Sequence, residues 1–221
     1  PNLQRSPDAK SRALTPAQAD RLVNRNILVV LTKDDNAQSG KDPNNTDLLK
    51  DKNNDRGYNA FWIDPGTKMA MVKGELRSSW ITEPATGRIP YKAGASRGGG
   101  FAITNFDGPE TRPQAERCIL GFSGSYGPVM NNGMYNSTMQ FVQTPSHVMI
   151  QVEMIHDVRV VPIVKSAAEA KHSPLPKWGG DSVGWYEGDT LVVQTSNPHP
   201  SQRAMISNQG KLTERFSRWN D

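Results

Sequence analysis

Four side chains with acid–base or anion-binding chemistry lie close together in the stretch EMIHDVRVVP, residues 153–162. They are Glu153, His156, Asp157 and Arg159. A carboxylate whose pKa is raised by burial can act as a general base, and a histidine titrates near neutral pH. An arginine can hold a carboxylate or phosphate through two parallel hydrogen bonds. These residue types at this spacing predict a catalytic site for acid–base chemistry of the lyase, isomerase or hydrolase class.

Strand periodicity divides these four residues between two faces. Residues 148–163 have the composition of one long strand, in which successive side chains point to opposite faces. Glu153, Asp157 and Arg159 then share one face, and His156 lies on the other, otherwise apolar, face. We expect the apolar face to be the core side and the charged face to lie in water. The alternative is a sheet around a polar cavity, in which case the three charged residues line a pocket.

His156 has two interpretations on its apolar face. A lone histidine there is more often a hydrogen-bonded core residue, but a neutral imidazole can act as a general base if a partner orients it. Asp157 points away in a regular strand, so a dyad of these neighbours would need a β-bulge. A metal site is chemically conceivable from His147, Glu153, His156 and His172. Because no paired-histidine spacing supports such a site, we predict no metal and no cofactor.

Two blocks that contain tryptophan predict ligand binding. They are WGGDS, residues 178–182, and WYEGD, residues 185–189. Indole faces stack on sugar rings and carboxylates bind hydroxyl groups, so Trp178, Asp181 and Trp185 are candidates for contacts with a small organic or sugar-like ligand. The alternative for Trp185 is a core anchor beside a hairpin turn. Trp178 precedes two glycines, an arrangement that is typical of loops lining clefts.

The candidate residues lie in or beside short strand-like segments that turn residues separate. The clearest segments are residues 139–143, 148–163, 182–195 and 211–218. The segment 182–195 contains a turn and therefore predicts a hairpin. Upstream, Thr15, Pro16 and Gln18 predict a capped helix that ends near Arg25, and the apolar run at 27–31 is strand-sized. Strands and helices do not alternate. The predicted fold is therefore mainly β: an antiparallel sheet, sandwich or barrel with long loops and a short N-terminal helix.

Composition changes near residue 57. We assign residues 1–57 to an N-terminal helix and polar extension, and residues 58–221 to a β-rich domain. The chain ends soon after a strand-like segment, which is compatible with a missing final strand pair at the C-terminus. The chain begins at Pro1, and removal of a signal peptide would explain that start.

Charge and cysteine content limit the classes of partner. The net charge is +4, but no run of lysine and arginine is dense enough to follow a phosphate backbone, so nucleic acid is not expected. No stretch approaches the about 20 apolar residues that a membrane span needs. Cys118 is the sole cysteine, which excludes an internal disulfide, and we expect it to be a small core residue. The predicted partners are a small-molecule ligand or other protein chains, and a homo-oligomer is compatible with the sequence.

A series of blocks along the chain resembles a large family of uncharacterised exported bacterial proteins, a domain of unknown function. The blocks are YNAFW at 58–62, RIP at 88–90, ERC at 116–118, QFVQTP at 140–145, EMIHDVRVVP at 153–162, WGGDS at 178–182, WYEGDTLVV at 185–193 and TERF at 213–216. The resemblance implies export, a β-rich fold and a periplasmic or extracellular location. It implies no activity, substrate or catalytic residue.

Two functions follow as expectations. The first is an exported β-rich domain that binds a small organic or sugar-like ligand between sheet and loops, with or without acid–base chemistry. The second is a structural or interaction subunit of a cell-envelope or extracellular assembly, in which long loops and open strand edges meet partner chains.

Overall fold

The computed structural model describes residues 3–26, 29–30, 66–92, 108–109, 112, 116–119, 126–130, 135–199, 206–207 and 209–218. The chain divides into two compact units. The first consists of Pro1–Ile89 with Asn131–Tyr135, and the second of Pro90–Met130 with Asn136–Asp221. The boundary predicted at residues 57 and 58 lies outside the described residues and stays a prediction.

The first unit contains the predicted helix and a small sheet. Helix α1 spans Pro16–Asn24. Thr15 caps it: the Thr15 hydroxyl accepts from the Gln18 N–H at 3.3 Å, and the Gln18 side chain accepts from the Thr15 N–H at 2.9 Å. The capped N-terminal helix is thus confirmed. This sheet, sheet A, is antiparallel with the order β1-β3-β2. Its strands are β1 (Ala13–Leu14), β2 (Met71–Val72) and β3 (Glu75–Arg77).

Two local predictions are wrong. In the apolar run 27–31, the described residues Val29 and Val30 are helical, and the Val30 N–H donates to the Asn26 carbonyl at 3.0 Å. An apolar run this short fits either a strand or a turn of helix, so its composition could not decide between them. Cys118 is exposed rather than buried.

The second unit contains two antiparallel three-stranded sheets. Sheet B has the order β4-β5-β6, with strands Met139–Gln143, His147–Val152 and Val158–Pro162. Sheet C has the order β7-β8-β9, with strands Asp181–Glu187, Thr190–Ser196 and Lys211–Phe216. The prediction of a mainly β, antiparallel fold is confirmed. The described strands form separate sheets and do not close into a barrel.

Sheets B and C share one apolar core. Its buried members are Val129 ahead of β4, Val148 and Ile150 of β5, Val161 of β6, and Leu191 and Val193 of β8. Burying an aliphatic side chain of this size stabilises the fold by about 1.5–3 kcal/mol, so these six residues are a main source of the unit's stability.

The two sheets meet along β6 and β7 at a glycine. The Val164 N–H donates to the Gly184 carbonyl at 2.9 Å. A Cβ at position 184 would lie 3.0 Å from side-chain carbons of both Val161 and Ile163. Gly184 is therefore required by the close approach of the strands rather than by its backbone conformation.

None of the described helical segments is long and apolar enough to cross a membrane.

Candidate functional site

The stretch EMIHDVRVVP is a hairpin rather than one strand. Strand β5 ends at Val152 and β6 begins at Val158, and a short 3-10 turn, Met154–His156, lies between them. Ile155 and His156 reverse the chain with φ angles of 52° and 56°. Positive φ is unusual for a β-branched residue, and neither turn residue is one that commonly marks a hairpin. The prediction of a single strand over residues 148–163 is wrong for this reason.

The reversal also overturns the predicted core face. In the antiparallel register Ile150 is opposite Arg159 and Val148 is opposite Val161, so Arg159 and Val161 point into the core. Arg159 is only 1% exposed, whereas Val160, which was expected on the core side, is 59% exposed. In β5 the even-numbered side chains face the core, whereas after the turn, in β6, the odd-numbered side chains do.

His156 and Glu153 lie on the exposed turn. The prediction that His156 sits on an apolar, core-facing surface is therefore wrong. The Glu153 carboxylate accepts from the Thr138 N–H at 3.1 Å, and the Glu153 N–H donates to the Thr138 carbonyl at 2.9 Å. These bonds fasten the turn to the residue before β4. The catalytic roles of His156 and Glu153 stay predictions, but both residues are exposed while Arg159 is buried.

Arg159 is the centre of a buried polar cluster between the sheets. Its Nη1 donates to the Glu214 carboxylate at 2.7 Å and to the Thr195 hydroxyl at 3.3 Å. The Thr195 hydroxyl is 2.7 Å from that of Ser182, and Glu214 also accepts from the Val129 N–H at 3.0 Å. Strands β6 to β9 each contribute one member of the cluster. A buried charge needs such a partner, because desolvation is costly for an unpaired ion.

Sequence reasoning missed Glu214, Thr195 and Ser182. A usable signal existed for one of them: in β9, Leu212, Glu214 and Phe216 alternate on one face, so a charged residue stands between two apolar ones. Such a residue on a core face needs a buried partner of opposite charge. The sequence does not show that Arg159 is this partner.

Tyr126 lies beside this cluster. Its hydroxyl donates to the Val158 carbonyl at 3.5 Å, a long hydrogen bond. Burial and the negative charge of Asp157 raise the pKa of Tyr126, and the positive charge of Arg159 offsets part of this effect. The hydroxyl therefore stays protonated at neutral pH and is available as a donor. Asp157 itself is partly buried, where β6 begins.

The Tyr126 ring packs directly against Gly179. A Cβ at position 179 would overlap the ring carbons of Tyr126, so only glycine allows this contact. We expect Gly179→Ala to lower the free energy of unfolding by about 1–3 kcal/mol, the usual cost of overpacking.

Urea denaturation followed by circular dichroism measures the effect of Gly179→Ala. Gly188→Ala is the control, because a Cβ there meets nothing within 4 Å, although its positive φ adds a strain of roughly 1 kcal/mol. Equal losses in the two variants would contradict the packing argument. The double variant Gly179→Ala/Tyr126→Ala should recover the part of the loss that arises from overlap.

Trp178, next to Gly179, is half-buried and forms an aromatic platform with two other side chains. Its ring stacks on His199, with centroids 4.2 Å apart and planes inclined by 28°. The guanidinium carbon of Arg117 lies 5.7 Å from the Trp178 ring centroid, within the range of a cation–π contact. The His199 N–H donates to the Lys177 carbonyl at 2.8 Å, which holds this histidine beside the tryptophan.

Asp181 is buried and organises the loop before β7. Its carboxylate accepts from the Ser173 N–H at 2.8 Å and from the Lys177 ammonium group, and His172 Nδ1 lies 3.4 Å away. Burial acts to raise the pKa of Asp181, but the hydrogen bonds from Lys177 and Ser173 outweigh it and hold the pKa below its ordinary value. The structure thus gives Asp181 a role in fixing the loop that carries Trp178.

This lowered pKa predicts acid sensitivity. When the folded pKa lies below the unfolded one, the stabilisation is fully present above the unfolded pKa and is lost as the pH falls through the folded value. We expect the free energy of unfolding to decrease below about pH 4, and Asp181→Asn should make this decrease shallower. Urea denaturation between pH 2 and pH 7, with pH steps of about one unit across the carboxylate range, tests it. Asp189→Asn, in an exposed turn, is the control; an equal change in both variants would contradict the assignment.

Trp185 is 6% exposed, and its indole N–H donates to the Glu187 carboxylate at 2.9 Å. That hydrogen bond, with the nearby Arg215, lowers the pKa of Glu187. The structure therefore places Trp185 in the interior, as a packing residue at the start of a hairpin turn. The predicted contact between Trp185 and a ligand has no support, because neither face of the indole ring is exposed.

Among the described residues, no group of three or more His, Cys, Asp or Glu side chains is placed to hold a metal ion. Comparison with protein-family models, with curated proteins and with solved structures found no match to this chain. The resemblance to uncharacterised exported bacterial proteins stays a prediction, and the function must be argued from the site itself.

Proposed function

We propose that the second unit binds a small organic or sugar-like ligand beside Trp178, whose neighbour Gly179 contacts the Tyr126 ring. The observation that carries the proposal is the aromatic platform. A half-buried indole is stacked on an imidazole beside two glycines, and a sugar ring or planar ligand would contact the part of this stacked pair that His199 and Arg117 leave uncovered.

The surroundings of the platform support this function. The Tyr126 ring packs on Gly179, the residue that follows Trp178, and the Tyr126 hydroxyl is a hydrogen-bond donor. Arg117 supplies a positive charge above the indole ring. Asp181 fixes the loop that carries Trp178 through hydrogen bonds with Ser173 and Lys177. A rigid aromatic surface with a few polar groups at its margin is the usual composition of a small-ligand site.

Acid–base chemistry is part of the proposal through Asp157 and Arg159, which lie beside Tyr126. Asp157 offers a carboxylate at the edge of the buried cluster, and Tyr126 offers a protonated hydroxyl as donor. Glu153 and His156 have less support, because they lie on the exposed turn. A lyase, isomerase or hydrolase without an organic cofactor is the class that these groups fit. We further propose a periplasmic or extracellular location, which the resemblance supports.

Isothermal titration calorimetry against neutral monosaccharides, uronic acids and aromatic carboxylates tests the binding function. We expect at least one class to bind, and Trp178→Ala to weaken that binding by about fivefold or more, since stacking on an aromatic face contributes about 1 kcal/mol or more. Tyr186→Ala is the matched control, because Tyr186 is an exposed aromatic residue at the opposite end of β7. Unchanged affinity in Trp178→Ala would contradict the proposal.

The second candidate function, a structural or interaction subunit, has one observation in its favour. Val142, Met149 and Val160 are cross-strand neighbours on the outer face of sheet B, and both valines are exposed. Scattered apolar surface residues are common in monomeric proteins, and a row of three is a small patch. Ligand binding is therefore the better supported of the two functions.

A further inference from the structure

The Arg159 guanidinium has one unused edge. Its Nη1 is engaged by Glu214 and Thr195. Nε and Nη2 are buried and have no hydrogen-bond partner within the part of the chain that the structure describes. These two nitrogens lie on the same side of the planar group, and together they form the edge with which arginine holds two oxygen atoms side by side. Buried N–H groups rarely stay unpaired, because their desolvation is costly.

The charges around this edge indicate what kind of oxygen it takes. Glu214 already neutralises Arg159 in a buried ion pair. Asp157 adds a negative charge close by, since its charge and that of Arg159 both act on Tyr126. Arg159 and Glu214 together carry no net charge. A carboxylate or phosphate at the edge would be repelled by the Glu214 carboxylate, whereas hydroxyl, ether or carbonyl oxygens would not.

We propose that Nε and Nη2 of Arg159 bind two adjacent uncharged oxygens of a sugar-like ligand whose ring lies on the aromatic platform. This inference rests on the proposed function and names its ligand class: a neutral polyhydroxylated ring, not an organic acid. Arg159 then selects the ligand through hydrogen-bond geometry, and the platform contributes the stacking contact. The Asp157 carboxylate suits a ligand hydroxyl, because its oxygens accept hydrogen bonds.

Tyr126 is the side chain suited to control access to this edge. Arg159 is almost fully buried, so a neighbouring group must move before a ligand oxygen can reach it. The Tyr126 hydroxyl makes only a long contact with the Val158 carbonyl, and its ring packs on Gly179. Displacing this ring breaks both contacts, and the ligand replaces them with its own.

The test compares methyl glycosides with the corresponding uronic acids, using calorimetry and the side-chain Nε–Hε signals of arginine in ¹⁵N-labelled full-length protein. We expect the neutral glycoside to bind about tenfold or more tightly than the uronate, and to shift the Arg159 signal. Arg159→Lys keeps a positive charge for Glu214 but lacks the two-nitrogen edge, so it should weaken glycoside binding by about tenfold or more. Arg215→Lys, at an exposed ion pair, is the matched control and should leave affinity unchanged.

The outcomes separate the two proposals. If Trp178→Ala abolishes glycoside binding while Arg159→Lys binds normally and the Arg159 signal does not move, the platform site stands and the arginine edge is refuted. Tighter binding of the uronate refutes the neutral ligand class. Failure of every probe to bind the wild-type protein refutes both proposals. The signal shift is measured on wild-type protein, so it decides the role of Arg159 even if Arg159→Lys does not fold.

Discussion

Replacing Glu214 with alanine should lower the free energy of unfolding of the second unit by about 3–5 kcal/mol. The side chain is 7% exposed, and its loss leaves the Arg159 guanidinium buried without a counter-charge. The Val129 N–H loses its acceptor in the same variant. Urea denaturation followed by circular dichroism measures the change. Because a small domain has only about 5–15 kcal/mol of stability in total, the variant should lie close to its unfolding threshold.

A double variant separates the ion pair from the packing around it. Arg159→Met with Glu214→Leu removes both charges and fills the space with apolar groups, so it should recover most of the stability that Glu214→Ala loses. Arg159→Met alone should be as harmful as Glu214→Ala, because it leaves the carboxylate unpaired. A loss of less than about 1 kcal/mol in either single variant would contradict the description of this pair as buried.

The second large effect distinguishes the two tryptophans. Trp185→Ala should destabilise the protein by about 3–5 kcal/mol, because it removes a buried indole from the interior. Trp178→Ala should cost only about 1 kcal/mol, since the ring is half-buried in a loop. Only the second variant should lose ligand binding. Denaturation and calorimetry on the same two proteins measure both properties.

Equal losses of stability in Trp178→Ala and Trp185→Ala would contradict these separate roles of the two tryptophans. A Trp185→Ala variant that folds normally and loses ligand binding would contradict them as well. Trp185→Phe serves as a conservative control, because it keeps an aromatic ring in the interior but removes the hydrogen bond to Glu187. Its loss should be smaller than that of the alanine variant. A Phe variant as unstable as the Ala variant would show that the hydrogen bond rather than burial determines the effect.

Most strands were predictable because turn residues mark their ends. Strand β4 has the predicted bounds, and the hairpin of β7 and β8 turns at Glu187-Gly-Asp189 as expected. The hairpin between β5 and β6 was not predictable from local composition, because it turns at Ile155 and His156 without glycine, proline or asparagine. One missed turn was enough to reverse the inferred face of Arg159, because side chains alternate with every residue.

The candidate site was predictable only in part. Arg159 and Trp178 were predicted as site residues from their chemistry. In the structure, Tyr126 lies beside the buried cluster of Arg159 and packs on Gly179, in the loop that carries Trp178. Glu214 was not named, because its partner lies 55 residues away along the chain and the register that joins them belongs to tertiary structure. Tyr126 was not named either, since its importance comes from the absence of a side chain at Gly179.

The long separation between Arg159 and Glu214 also has a consequence for folding rates. Sheets B and C each pair strands that follow one another in the sequence, whereas the ion pair forms only when the two sheets have docked. Interactions that form after the transition state slow unfolding without accelerating folding. We therefore expect the buried pair to slow the separation of the two docked sheets more than it accelerates folding.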